Sequence, residues 1–145
     1  MSTLYACLTK ARQAVPDLTF AGLLALLFIA RETGARDWRR IPTVKMIAEE
    51  LGLTISGTAR ILEVLSEGRT HGVKASKGLG LIASGEFLFG GRAAPYFLSP
   101  KGVVLIKQIL TDLAPGSAER FEPYDEGALL QVAVARATKH SDLQD

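Results

Sequence analysis

Apolar side chains recur at helical intervals along most of the 145-residue chain. Leu4, Leu8, Ala11 and Val15 share one face of a first helix, and Pro16 interrupts it. Thr19 is placed to cap a second helix that runs through "FAGLLALLFIA" to about Thr33, where Gly34 ends it. A third helix from about Thr43 sets Val44, Ile47, Ala48 and Leu51 on one side, and Gly52 supplies the permissive backbone at its end. A fourth runs from near Thr54 to about Ser66. The pattern then changes: "LIASGEFLF" and "AAPYFLS" read as strands joined through Gly90, Gly91 and Arg92. "SPKGVVLIKQILTDL" returns to helix, with Ser99 as cap and Pro100 in the first turn. "APGS" breaks the chain, and "EGALLQVAVARATKH" reads as a final helix. The expected fold class is mainly α with a small β-hairpin, an α+β arrangement in one domain.

The close spacing of the third and fourth helices, with only "GLT" between them, is the most informative feature. At about 100° per residue, Ile55, Thr58, Ala59, Leu62 and Leu65 fall on one side of the fourth helix. Ser56, Gly57, Arg60, Glu63 and Val64 fall on the other. The first set is expected to pack against the third helix. The second offers small residues at the helix start, one Arg able to donate two hydrogen bonds to guanine, and a Val suited to a thymine methyl. Backbone N–H groups at such a start favour phosphate. A helix-turn-helix fits this pattern, and an ordinary αα-hairpin in a helical core fits it equally. A hairpin directly afterwards, with the glycine-rich, basic tip "FGGRAAP", shifts the balance toward DNA: a basic tip can enter a narrow minor groove.

Charge agrees with that shift. Net charge is only +2, but it is unevenly spread. Residues 36–107 hold eleven basic and six acidic side chains, whereas residues 108–145 hold three basic and seven acidic. A basic middle and an acidic end point to a polyanion-facing surface separate from the C-terminal part. The longest apolar run falls short of the ~20 residues a membrane helix needs, the N-terminus lacks the order of a secretory signal, and a single Cys permits no internal disulfide. A cytoplasmic protein with no membrane association is expected. There is no carboxylate pair, no Ser–His–Asp set and no metal cluster, and "KGLG" and "FGGR" do not sit between a strand and a helix as a phosphate loop does. Neither an enzyme nor a resident cofactor is expected.

The order of these motifs resembles the MarR-type winged helix-turn-helix regulators of transcription over roughly residues 18–110. "IAEELGLTISGTARILEVL" is similar to the family's helix-turn-helix, with Arg60 at its usual basic position. "GLI" matches the start of the wing, and "GGRAAPYFLSPKG" follows the family's spacing of Arg92, Leu98, Ser99 and Gly102. Gly90 stands where the family often has an Asp that orients the wing Arg. Thr58 and Ala59 replace an apolar and a small polar residue. The polar insertion "EGRTHGVKASKG" is longer than usual, and reads equally as a source of backbone contacts or as a solvated loop.

The resemblance implies a winged helix-turn-helix in which residues 35–102 form a DNA-reading lobe, with dimerisation helices at residues 1–18 and 103–145. It implies a homodimer on a palindromic double-stranded operator, repressing by promoter occlusion. Ser56, Gly57 and Arg60 would read bases with Val64, while Lys45 and Thr54 position the head on phosphates. Arg92 would enter the minor groove; in the insertion, which departs from the family, Arg69, Lys74 and Lys77 would add backbone contacts unless it is a solvated loop. Leu105, Ile106, Ile109, Leu110 and Leu113, with Leu129, Leu130, Val132, Ala133 and Val134, supply apolar helices for the dimer or complete a monomer core. A small-molecule effector belongs to the family's pattern, though no residue pattern identifies one. The alternative function is a winged helix used for protein–protein contact in phage or plasmid machinery. Cys7 is expected to be a small buried residue rather than a redox sensor. His71 and His140 are too isolated to hold a metal, and Trp38 reads as a loop anchor more readily than as a stacking platform.

Overall fold

The computed structural model describes residues 2–35, 40–69, 76–85, 94–114 and 116–123. Four of the helices anticipated from periodicity begin at hydroxyl caps. Helix α2 (Phe20–Gly34) follows Thr19, α3 (Val44–Leu51) follows Thr43, α4 (Ile55–Leu65) follows Thr54, and α5 (Pro100–Leu113) follows Ser99. Each cap oxygen accepts from a backbone N–H three residues on: Gly22 at 3.0 Å, Met46 at 3.4 Å, Gly57 at 3.0 Å and Gly102 at 3.1 Å. A cap of this kind stabilises a helix start by about 1 kcal/mol, because those N–H groups have no partner inside the helix. Helix α1 (Ser2–Ala14) precedes them, and a single turn, α6 (Ser117–Arg120), follows α5. Periodicity had given no sign of α6; four residues are too few to show a helical repeat.

The described strands are short, and residues 86–93, which the pattern gave to the two strands and their turn, lie outside the described residues. Beyond α4 come β1 (Gly68–Arg69) and β2 (Ser76–Lys77), an antiparallel pair with Gly68 opposite Lys77 and Arg69 opposite Ser76. The polar insertion therefore has a paired base. The expected hairpin follows as β3 (Ile82–Ser84) and β4 (Tyr96–Leu98), antiparallel with Ile82 opposite Leu98 and Ser84 opposite Tyr96. The described protein is thus mainly helical with small antiparallel hairpins. Among the described residues no helix is long and apolar enough to cross a membrane.

The core forms where α2 lies against α3, α4 and β4, and where α1 lies along α5. Leu26, Ile29, Ile47, Leu62, Leu65, Leu81, Ile82 and Leu98 are fully buried in it. Helix α1 adds Cys7 and Ala11, and Val15 follows just past its end, while Leu4 and Leu8, expected on the same face as Ala11 and Val15, are exposed. Helix α5 adds Leu105, Ile106 and Ile109, so much of its apolar surface completes the chain's own core; Leu110 is partly buried against it and Leu113 is exposed. Residues 129–134 lie outside the described residues.

One junction holds these layers in register. The carbonyls of Val64, Leu65 and Ser66, at the open end of α4, accept from the N–H groups of Leu79, Leu81 and Gly80 at 2.7–2.8 Å. Gly80 makes that return with φ +66. From the other side, Ser99 Oγ donates to the Gly80 carbonyl at 2.5 Å, Ser99 N–H donates to the Leu81 carbonyl at 3.0 Å, and Lys101 Nζ donates to the Leu79 carbonyl at 2.9 Å. The end of α4, the start of β3 and the start of α5 therefore meet on three consecutive residues.

Candidate nucleic-acid interface

The turn between α3 and α4 is set by Gly52. Its φ of +67 puts it in the left-handed region, and its N–H reaches back to the carbonyls of Ala48 and Glu49. Leu53 N–H also returns to Ala48, at 3.0 Å, so the carbonyls that end α3 are satisfied before α4 begins. Thr54 then caps α4 through its contact with Gly57 N–H, and no acidic residue occupies the first turn. The positive end of the α4 dipole is therefore not offset by a carboxylate of its own first turn.

Helix α4 buries a narrower arc than its apolar pattern implied. Thr58, Leu62 and Leu65 are buried and Ile61 is packed against them. Ile55 and Ala59, expected on that same packing face, are exposed, Ile55 to 56 %. Helix α4 lies against α2 and α3, and the residues it buries are Thr58, Leu62 and Leu65. Counting apolar residues around α4 could not reveal this, because it holds no information about which side the neighbouring helices cover. Thr58 sits fully inside, and its Oγ1 has no hydrogen-bond partner.

The exposed arc of α4 consequently carries Ile55, Ser56, Ala59, Arg60 and Val64, with Glu63 and Gly57 half-buried along it. Of the residues singled out from sequence, Ser56, Gly57, Arg60 and Val64 thus share a face with Thr54 at its start. Lys45 is exposed in the first turn of α3. Gly57 is constrained as well as small: a Cβ there would lie 2.9 Å from Thr54 Oγ1. For Arg69 and Lys77 the structure gives the backbone of β1 and β2 only. Lys74 and Arg92 lie outside the described residues, as do Gly90, Trp38, His71 and His140.

Around this face the scaffold is tied by charge. Glu32, buried near the end of α2, accepts from Arg40 Nε at 2.8 Å and from Arg31 Nε at 3.0 Å. Arg31 also reaches Glu50 on α3 at 3.6 Å and stacks 5.2 Å from the centre of the Phe28 ring. The Arg40 hydrogen bond is the main reason the Glu32 carboxyl is held below its ordinary range; burial opposes it and Arg31 assists. Tyr96 N–H donates to the Pro42 carbonyl at 2.9 Å, so β4 is fastened to the segment that leads into α3.

Cys7 is buried between α1 and α5, its Sγ 3.9 Å from the Ile109 carbonyl. Burial pushes its thiol above the ordinary value and nearby Asp112 adds to the effect, both of which disfavour the reactive thiolate. It borders an open groove of about 540 Å³ between α1 and α5, beside the Lys10–Asp112 ion pair at 3.0 Å. Among the described residues no group of His, Cys, Asp and Glu is placed to hold a metal ion. No protein-family model, curated protein or solved structure matches the chain.

Proposed function

We propose that the chain is a dimeric, sequence-specific regulator that binds double-stranded DNA through a winged helix-turn-helix and represses by occupying a promoter, as its resemblance to the MarR-type regulators implies. The observation that carries this reading is the exposed arc of α4. A tight turn at Gly52, a capped helix start with no acidic residue in its first turn, and Ser56 and Arg60 on the open side together make a surface suited to the major groove. The antiparallel hairpin β3–β4 follows in chain order, and residues 86–93 between its strands include Arg92, the residue assigned to the minor groove. Arg60 reads a base and Lys45 and Thr54 contact the backbone. The exposed Ile55 and Ala59 join this set as apolar contacts.

Selection of bound sequences from a random duplex pool tests the proposal. The wild type is expected to recover a palindrome with half-sites about one turn apart. Arg60→Ala should relax one position in each half-site at a cost of about 1–3 kcal/mol, whereas Arg92→Ala should weaken all sequences alike and flatten the salt dependence. A second reading, a protein–protein contact module, is favoured by one observation: Leu53, Ile55 and Val64 leave the same surface unusually apolar. No enrichment of any duplex, with partner binding that persists at high salt, would replace the first reading by the second.

A further inference from the structure

Four of the 15 residues of α2 are exposed: Phe20, Leu24, Leu27 and Arg31. Their intervals of four, three and four residues make one row along the helix, the spacing of a two-helix seam. The row is not uniform. At its start Phe20 projects, 72 % exposed. Towards its other end Leu24, Leu27, Phe28 and Arg31 surround an open groove of about 420 Å³, bounded on the α3 side by Glu50 and Leu51. Those four positions, spaced i, i+3, i+4 and i+7, are the hole into which a facing helix inserts a knob.

Knob and hole are placed symmetrically. Leu24 stands four residues after Phe20 and between three and four before the middle of the hole, which falls between Leu27 and Phe28. A two-fold axis beside Leu24 therefore runs two copies of α2 antiparallel and sets each Phe20 over the other's hole. A two-fold contact requires this, because one patch must carry both a feature and its complement. A different partner would require no such symmetry. Charge follows the same axis. Arg31 and Asp17 each lie seven residues from Leu24, so Arg31 of one copy comes opposite Asp17 of the second. Asp17 is exposed in the turn before α2. Arg31 already meets Glu32 and Glu50, yet its side chain stays 62 % exposed, and a guanidinium has donors to spare for a further carboxylate. Leu8, Arg12 and Pro16 line the groove beside Phe20, so Arg12 approaches the Glu50 rim of the other copy's hole.

We infer that a second copy of this chain packs on the outer face of α2, antiparallel about a two-fold axis at Leu24. Each Phe20 ring sits between Leu24, Leu27, Phe28 and Arg31 of the other copy. The centre of the contact is thus α2, whereas the resemblance assigns the dimer to the terminal helices. Leu8 extends the surface onto the exposed apolar side of α1. The contact forms without DNA, so it stands or falls separately from the DNA-binding reading.

Single cysteines in the full-length chain with Cys7→Ala test it. A residue on a two-fold axis faces itself, so mild oxidation of Leu24→Cys is expected to link two chains through that one position on a non-reducing gel. Val104→Cys, on α5 and more exposed, is expected to form no such link. Absence of the Leu24→Cys link, or an equally strong link through Val104→Cys, overturns the proposal. Sedimentation without DNA gives a check on chains that keep Cys7. The wild type is expected to be a dimer, and Phe20→Ala, which removes only an exposed ring, should leave the circular dichroism unchanged while raising the dimer Kd at least about tenfold. An unchanged Kd overturns the proposal. So does a monomeric wild type, which would mean that the row is closed within a single chain.

Discussion

At Gly102 the absence of a side chain decides where α5 can begin. A Cβ there would run into the carbonyl oxygen of Leu81, the atom that already accepts from Ser99 N–H. Neither side can yield: Leu81 is backbone pinned to the end of α4, and Gly102 is pinned through its N–H to the Ser99 cap. Gly102→Ala is therefore expected to lower stability by about 2–4 kcal/mol, as overpacking against backbone does, measured as a fall in the urea midpoint. Lys101→Ala, which loses an exposed hydrogen bond to Leu79, should cost no more than about 1 kcal/mol. A midpoint for Gly102→Ala within error of wild type would mean that α5 can shift away from β3. The spacing of Leu98, Ser99 and Gly102 was visible in the sequence as a motif, but its use was not. These residues lock a junction, and the chemistry assigned to nucleic acid rests on α4 instead.

Among the elements, the tie between α2 and the segment entering α3 is the one with a pH signature. Glu32 is buried between Arg31 and Arg40, and its carboxyl is held low chiefly by Arg40. A carboxylate with a lowered folded-state pKa contributes stability above the unfolded value, about 4.3, and loses it as pH falls through the lower folded value. Wild type and Glu32→Gln should thus differ most near neutral pH, with wild type more stable, and converge only in acid, as pH falls from the unfolded value through the lower folded one. Parallel unfolding midpoints at all pH values would show that the arginines stabilise through packing alone. Helix positions were legible because caps and stops are local: Thr19, Thr43, Thr54 and Ser99 mark starts, and Gly34 and Gly52 mark ends. The packing face of α4 was not, because it depends on what neighbouring elements cover, as the exposed Ile55 illustrates. The partner of Glu32 was equally hidden, since nothing local links it to Arg40.

For the molecule as a whole, the uneven charge and the uncovered apolar surface point in different directions. The basic stretch of residues 36–107 includes Lys45 and Arg60 on the exposed sides of α3 and α4. The exposed apolar residues of α1, Leu4, Tyr5 and Leu8, lie on a helix whose opposite side is fastened to α5. A surface of that kind, on an element remote in sequence from α4, is suited to a second copy, and the proposed palindromic site would require a two-fold dimer. Leu4→Asp with Leu8→Asp changes only exposed positions and so should leave the protomer folded. It should convert a dimer to a monomer by sedimentation, and abolish preference for the two-fold site while leaving weak, salt-sensitive binding to a half-site. Retention of the dimer would move the contact to α5, where Val104 and Leu113 are also exposed. Loss of the dimer with unchanged affinity for the full site would mean that each protomer reads DNA alone, and the operator would then need no symmetry.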